Sequence, residues 1–262
     1  MRHATPLRPA LAGSPPAERV ELIPVLDTNY TFILHNGLQA AVVDPALAPP
    51  VEHWLKQRQL ELVAVLQTHH HADHIGGTPA LLRRWPEAAV VAARSDRSHI
   101  PFQTVGVAGG ESFELLGRTV EVLAVPAHTR AHIAYYLPPT EGGGAGELFC
   151  GDTLFAGGCG RLFEGTPEQM RAALRRLVAL PDATRVWCAH EYTEANLSWA
   201  ASEAPGDAAI AERLEAVRQT RSRGLPTIPS SIALERSTNL FVRAADGAEL
   251  GALRRSRDHW RG

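Results

Sequence analysis

Short apolar runs separated by turn residues dominate the chain from residue 20 onward. "VELIPVL" (20–26), "YTFILH" (30–35) and "AAVVDP" (40–45) are rich in β-formers, and their spacing predicts strands in antiparallel pairing. "PVEHWLKQRQL" (50–60) shifts to a helical period, and "ELVAVLQ" (61–67) returns to a buried strand. In "GTPALLRRW" (77–85), Thr78 is placed as N-cap and Pro79 as the first helical residue. "AAVVAA" (88–93) and "TVEVLAVPA" (119–127) predict further strands, and "HIAYYL" and "ELFCGD" flank a hairpin-like loop, "PPTEGGGAG" (138–146). "TPEQMRAALRRLVAL" (166–180) opens with capping-box spacing, Thr166 to Gln169, and continues as an amphipathic helix. "TRVWCAHEYT" (184–193) reads as a strand running into a loop. Helical patterns then fill 194–223, and a last helix is expected in the tail 249–262. Strands and helices therefore alternate over roughly 20–190, a helical appendage covers 191–262, and residues 1–18, rich in Pro and Ala, form a flexible arm.

Composition narrows the function classes. Charged residues make up 21% and nearly cancel, with a net charge of −2, so no strong field points to nucleic acid or a membrane surface. The three cysteines, Cys150, Cys159 and Cys188, contain no CxxC and form a poor disulfide framework. Free thiols in a reducing cytoplasm are expected. Prolines break the first twenty residues, so no secretory signal is expected, and no run approaches the ~18 apolar residues of a membrane span.

The candidate chemistry is concentrated in "QTHHHADHIGG" (67–77), where four histidines and an aspartate fall within six positions. Neutral imidazole and carboxylate are good ligands for zinc and iron. On an extended segment alternate side chains share a face, so His69 and His71 point one way and His70 the other. Gly76 and Gly77 allow close backbone approach where the chain turns into a helix, and that turn aims Asp73 and His74 at a second point. The geometry suggests two metals. His3, His35, His53, His99 and His259 fit solvated or capping roles, with His35 and His99 in apparent loops. His128, His190 and Asp152 each follow a β-rich run, as the cluster does. A lone His or Asp at a strand end is ordinarily structural, but four strand ends carrying ligand-type residues suggest one site at the edge of a sheet.

"THHHADH" (68–74) resembles the THxHxDH signature of the metallo-β-lactamase superfamily. "GDTLFAGGCGRLFEGTPEQM" (151–170), "CAHEYT" (188–193) and "LPTIPSSIALERSTNLFVR" (225–243) are similar to blocks of the glyoxalase II family, the hydroxyacylglutathione hydrolases. The resemblance spans about 20–262. It implies an α/β fold, an αββα sandwich over 19–190 followed by a smaller α-helical, substrate-binding domain over 191–262. It implies two divalent metal ions, zinc before iron or manganese. His69, His71 and His128 would hold one, Asp73, His74 and His190 the other, and Asp152 would bridge them. Asp73 and Asp152 would be the catalytic carboxylates, and His70 would have a structural role. Arg161, Tyr192 and Arg243 would contact glutathione. The implied reaction is hydrolysis of S-(2-hydroxyacyl)glutathione, chiefly S-D-lactoylglutathione, by a water that the metals acidify. A cytoplasmic monomer without nucleic-acid or membrane partners would carry it out, as part of methylglyoxal detoxification.

The chain departs from the family pattern at Ala127, Arg130 and Ala131, at Phe163 where relatives carry Tyr, at Leu240 after Asn239, and in lacking a Lys after Arg243. The alternative within the superfamily is a mononuclear iron oxygenase resembling persulfide dioxygenases, which share "HxHADH". His190 and the C-terminal block speak against it. Cys159 in "GGCGR" suits a tight turn better than a nucleophile.

Overall fold

A computed structural model describes residues 19–140 and 142–262; the arm expected at 1–18 lies outside them. The chain divides into two compact units. The first takes the chain up to Ala124 together with Ala131–Gly144, and the second takes Val125–Arg130 and Ala145–Gly262.

In the first unit, β1 (Arg19–Val25), β2 (Asn29–His35) and β3 (Gln39–Val43) pair antiparallel, as their turn-separated spacing predicts. The sheet then turns parallel through β4 (Glu61–Leu66), β5 (Ala89–Ala93) and β6 (Val105–Val107). Parallel strands need crossovers, and helices supply them. α1 (Ala48–Gln57) links β3 to β4, while α2 (Ala72–Ile75) and α3 (Thr78–Arg84) link β4 to β5. Val51 and Leu55 of α1 and Leu81 of α3 pack with Ile33, Val42, Leu62 and Val90 of the sheet in one apolar cluster. A meander of β7 (Ser112–Leu115), β8 (Arg118–Ala124) and β9 (Ile133–Leu137) completes this unit. The buried Tyr135 hydroxyl of β9 lies 2.9 Å from the Gln67 carbonyl and 3.0 Å from that of Val91, tying the meander to the end of β4 and to β5.

In the second unit, β10 (Glu147–Gly151) runs parallel to β13 (Arg185–Cys188), and β14 (Ser230–Ser231) closes antiparallel on β13. Between them, β11 (Leu154–Phe155) and β12 (Gly158–Cys159) form the tight turn that the glycines around Cys159 suggest. α4 (Pro167–Leu177) carries the full capping box of Thr166 and Gln169 and buries Met170, Ala173, Leu174 and Leu177, a helical stripe. α5 (Thr193–Glu203), α6 (Ala208–Ser222), α7 (Ile232–Thr238), α8 (Leu240–Arg243) and α9 (Gly247–His259) complete it.

Two expectations shift. Gly77, not Thr78, is the N-cap of α3, which moves Thr78 into the first turn, where it is fully buried. His35 closes β2 and is not in a loop; its ring packs 5.4 Å from Trp54, and burial lowers its pKa. Among the described residues no helix is long and apolar enough to cross a membrane.

Candidate metal centre and substrate-binding residues

Two sets of ligand-type residues are built separately, one in each unit. The first begins where β4 ends. Asp44, just past β3, is buried with a left-handed φ of 47°. Its carboxylate accepts from the Thr68 backbone N–H at 2.8 Å and from the Thr68 hydroxyl at 2.6 Å. His74 Nδ1 lies 3.0 Å from the same carboxylate. With a donor at Nδ1, the Nε2 atom of His74 carries the lone pair that could hold a cation. His69 Nε2 and His71 Nδ1 stand 3.0 Å apart. The His69 ring lies 4.1 Å from His74 and stacks at 4.5 Å on His132. Asn29 donates to the Asp73 carboxylate at 2.9 Å and fixes it beside His74. His70 turns away, toward Asp96 at 3.0 Å. The glycines behave as the sequence suggests. A Cβ on Gly77 would stand 2.7 Å from the Leu47 carbonyl carbon, so only glycine lets α3 pack against the start of α1.

The second set comes from three strand ends. His128 follows β8, Asp152 follows β10 and His190 follows β13. The His128 Nδ1 lies 2.9 Å from the Arg161 carbonyl, so its Nε2 faces Asp152 Oδ2 at 3.4 Å. His190 Nε2 lies 3.3 Å from the other Asp152 oxygen. Gly160 passes directly beneath; a Cβ there would collide with the Asp152 carbonyl oxygen and come within 3.1 Å of His128 Nδ1. The "GCGR" segment thus supports Asp152 and His128 through a backbone approach that no other residue permits.

These spacings suit a cation. Ligands about 2.0–2.1 Å from a tetrahedral zinc stand roughly 3.3 Å apart. Imidazole nitrogens at 3.0–3.4 Å from one another or from a carboxylate oxygen are close to that edge length. The mixed imidazole and carboxylate donors suit divalent zinc, iron or manganese.

The expected substrate residues fall apart into two places. Tyr192 stacks on His190 at 4.8 Å with nearly parallel rings, and Phe155 meets it edge-on. Arg161 is exposed, 3.5 Å from Asp258, and lines a cavity of about 300 Å³ with Phe163, Arg254 and Arg255. Arg243 lies elsewhere in the unit: it donates to Asp207 at 2.6 Å and lines a different cavity with Arg171, Arg175 and Arg236. That contact holds the Asp207 carboxyl below its usual pKa.

The sequence reading missed several contributors. Arg254 donates to the Cys159 carbonyl at 2.7 Å and to Asp258 at 2.9 Å, and Arg257 to Asn196 at 3.2 Å. Burial, then the neighbouring Arg254, lowers the Arg257 pKa. The "RRSR" run of the last helix was the available signal. Asp44, in "VVDP" at a strand end, followed the same rule that singled out Asp152. His132 and Asn29 carried no signal, because only the fold brings them to this loop.

Residues 23–190 match the family model described as Metallo-beta-lactamase superfamily, and residues 191–260 match Hydroxyacylglutathione hydrolase C-terminus. The hydroxyacylglutathione hydrolase of Parasynechococcus marenigrum (strain WH8102) is 62% identical over 91% of this chain and 96% of its own length. The one from Synechococcus sp. (strain CC9605) is 59% identical over the same shares. Among solved structures, ETHE1 from Myxococcus xanthus superposes with a TM-score of 0.67 at 25% identity, covering 93% of each chain. The chain belongs to the hydroxyacylglutathione hydrolase family of the metallo-beta-lactamase superfamily. Its mixed α/β sheets with a helical C-terminal region are the metallo-beta-lactamase fold that the resemblance implied.

Proposed function

We propose that the protein hydrolyses S-(2-hydroxyacyl)glutathione to a 2-hydroxy acid and glutathione. The observation that carries this reading is similarity to hydroxyacylglutathione hydrolases over 91% of the chain, combined with the presence of all seven His and Asp residues that the family resemblance assigns to metal. His69, His71 and His128 are assigned to one divalent ion and Asp73, His74 and His190 to a second, with Asp152 common to both. Zinc is the first choice of metal. Bound there, the two ions would lower the pKa of a water toward ~7 and polarise the thioester carbonyl.

The chain's own residues prepare that chemistry. Asp44 and the Arg161 carbonyl set the tautomers of His74 and His128, so that each presents Nε2. Asn29 orients the Asp73 carboxylate, which is assigned to receive or direct a water proton. Glutathione brings two carboxylates, which guanidinium groups bind well. Arg161, Arg254 and Arg257, clustered around Asp258 and Asn196, are assigned to them together with Tyr192. Arg243, paired with Asp207, would act from its own pocket. Residues 191–262 supply most of these groups and serve as the substrate-binding part, following the catalytic part at 19–190. The leaving thiolate needs no strong acid, because ordinary thiols have pKa values of ~8.5. No cysteine serves as nucleophile: all three are buried, and burial raises each thiol pKa.

The three unpaired thiols suit a reducing cytoplasm, and we assign the protein there, as a monomer acting as one step of methylglyoxal detoxification. The test is a thioesterase assay on S-D-lactoylglutathione with metal analysis of the same sample. Two divalent ions per chain with rapid thiol release are expected, and Asp152→Ala loses both activity and metal. A single iron per chain with O₂ uptake on glutathione persulfide, and no thioester cleavage, would establish the oxygenase reading instead.

A further inference from the structure

His70, the one histidine of the triple left outside the proposed metal sets, has its own partners. It sits on the loop between His69 and His71, and its Nδ1 lies 3.0 Å from Asp96 Oδ2. His99 brings its Nδ1 to 2.8 Å from Asp96 Oδ1. The two rings lie 4.4 Å apart, tilted by 31°. One ligand-type atom from each of the three residues lies within 4.8 Å of the other two.

We propose that His70, Asp96 and His99 form an additional site for a divalent transition metal such as zinc. The placement is built into the fold. Asp96 ends a 3-10 turn at Arg94–Asp96, and the backbone N–H groups of His99 and Ile100 both bond its carbonyl at 2.9 Å. Asp96 and His99 are therefore held one turn apart, where side chains meet. The loop after β4 delivers His70 from the other side. The Asp96 side chain is only 2% exposed, and a buried carboxylate needs donors or a cation. Imidazole N–H groups supply the donors now. A metal ion replaces them when each ring moves its proton from Nδ1 to Nε2, so neither ring needs to lose a net proton.

The N···O separations of 2.8–3.1 Å are a few tenths of an ångström short of the roughly 3.3 Å edge of a tetrahedral zinc site. His99, 60% exposed, has room to open by that amount. Two imidazoles with one carboxylate select zinc, nickel or copper over magnesium and calcium, which prefer all-oxygen shells. Three protein ligands leave the remaining positions to water, and the exposure of His99 makes the ion exchangeable. An ion bound there pins the peptide of His70, and with it the loop carrying His69 and His71, from outside the proposed centre.

Equilibrium dialysis of the untagged, zinc-loaded protein against buffered free zinc tests the proposal, with Zn²⁺ itself as the probe. Wild type is compared with His99→Ala, an exposed residue outside the proposed catalytic groups. At saturation wild type is expected to hold one zinc per chain more than His99→Ala, and excess zinc is expected to raise its melting temperature further. Equal zinc content in the two proteins overturns the proposal. His99→Ala retains Asp96, whose buried carboxylate Asp96→Ala would remove at greater risk to folding. Thioesterase activity is read separately, so a failed assay on the thioester leaves this outcome independent.

Discussion

A carboxylate that touches no proposed ligand position directly except through His74 governs much of the candidate centre. Asp44 accepts from Thr68 twice and lies 3.0 Å from His74 Nδ1, while its own carbonyl accepts from Thr31 at 3.0 Å. Asn tolerates the left-handed backbone at this position, so Asp44→Asn is expected to fold, losing about 1–2 kcal/mol in urea unfolding. Its amide nitrogen, placed where Oδ2 stands, would donate to His74 and force the proton onto Nε2. Loss of such an orienting partner typically costs about 10–100-fold in metal affinity. Metal analysis of folded Asp44→Asn should therefore show depletion; full metal content in that variant would remove Asp44 from any role in the centre. Of the residues argued to matter, the ligand types were legible in the sequence because imidazole and carboxylate at strand ends are recognisable chemistry. Asn29 and His132 were not, because an amide on β2 and a histidine before β9 take their meaning only from the fold.

Among elements, the β11–β12 turn ties chemistry to architecture. Gly160, one residue past β12, passes so close to Asp152 and His128 that a methyl group cannot be added without moving one of them. Around it, the Asn239 side chain donates to the carbonyls of Phe155 and Gly158, and Gly157 N–H donates to the buried Glu235. The turn cannot yield cheaply on that side, so the strain of Gly160→Ala falls on the Asp152 segment. We expect Gly160→Ala to lose metal and at least tenfold in kcat/KM while keeping a cooperative unfolding transition. Unchanged kinetics and metal content would show that the segment relaxes freely. The sequence marked this turn by its glycines, but it did not reveal β6, β7, α7 or α8. Three to seven residues complete too few periods to signal an element, and tertiary pairing decides such segments. The long strands and α4, with its capping box, were legible for the opposite reason.

At the scale of the whole molecule, the order of strands and helices and the family were readable because the motifs are spread along the chain. The division into compact units was not: Val125–Arg130, carrying His128, belongs with the second unit although the strand leading into it belongs with the first. A pattern that is local in sequence cannot express such an exchange. One global property follows from groups that the proposed reaction does not use. Burial raises the Cys150 thiol well above its usual value of 9.0, and pushes Cys159 up to about 11 and Cys188 to about 12. In the unfolded chain all three ionise near pH 9. Between that pH and their folded values the native state keeps protons that the unfolded state has lost. Stability is therefore fully present below pH 9 and falls as pH rises toward 11–12, by up to about 1.4 kcal/mol per pH unit for each thiol. Urea unfolding measured from pH 8 to 10.5 should show this decline, and Cys159→Ala should flatten it by about one thiol's share, whatever its effect at pH 8. An identical slope in Cys159→Ala would show that this thiol ionises as readily in the folded protein as in the unfolded chain.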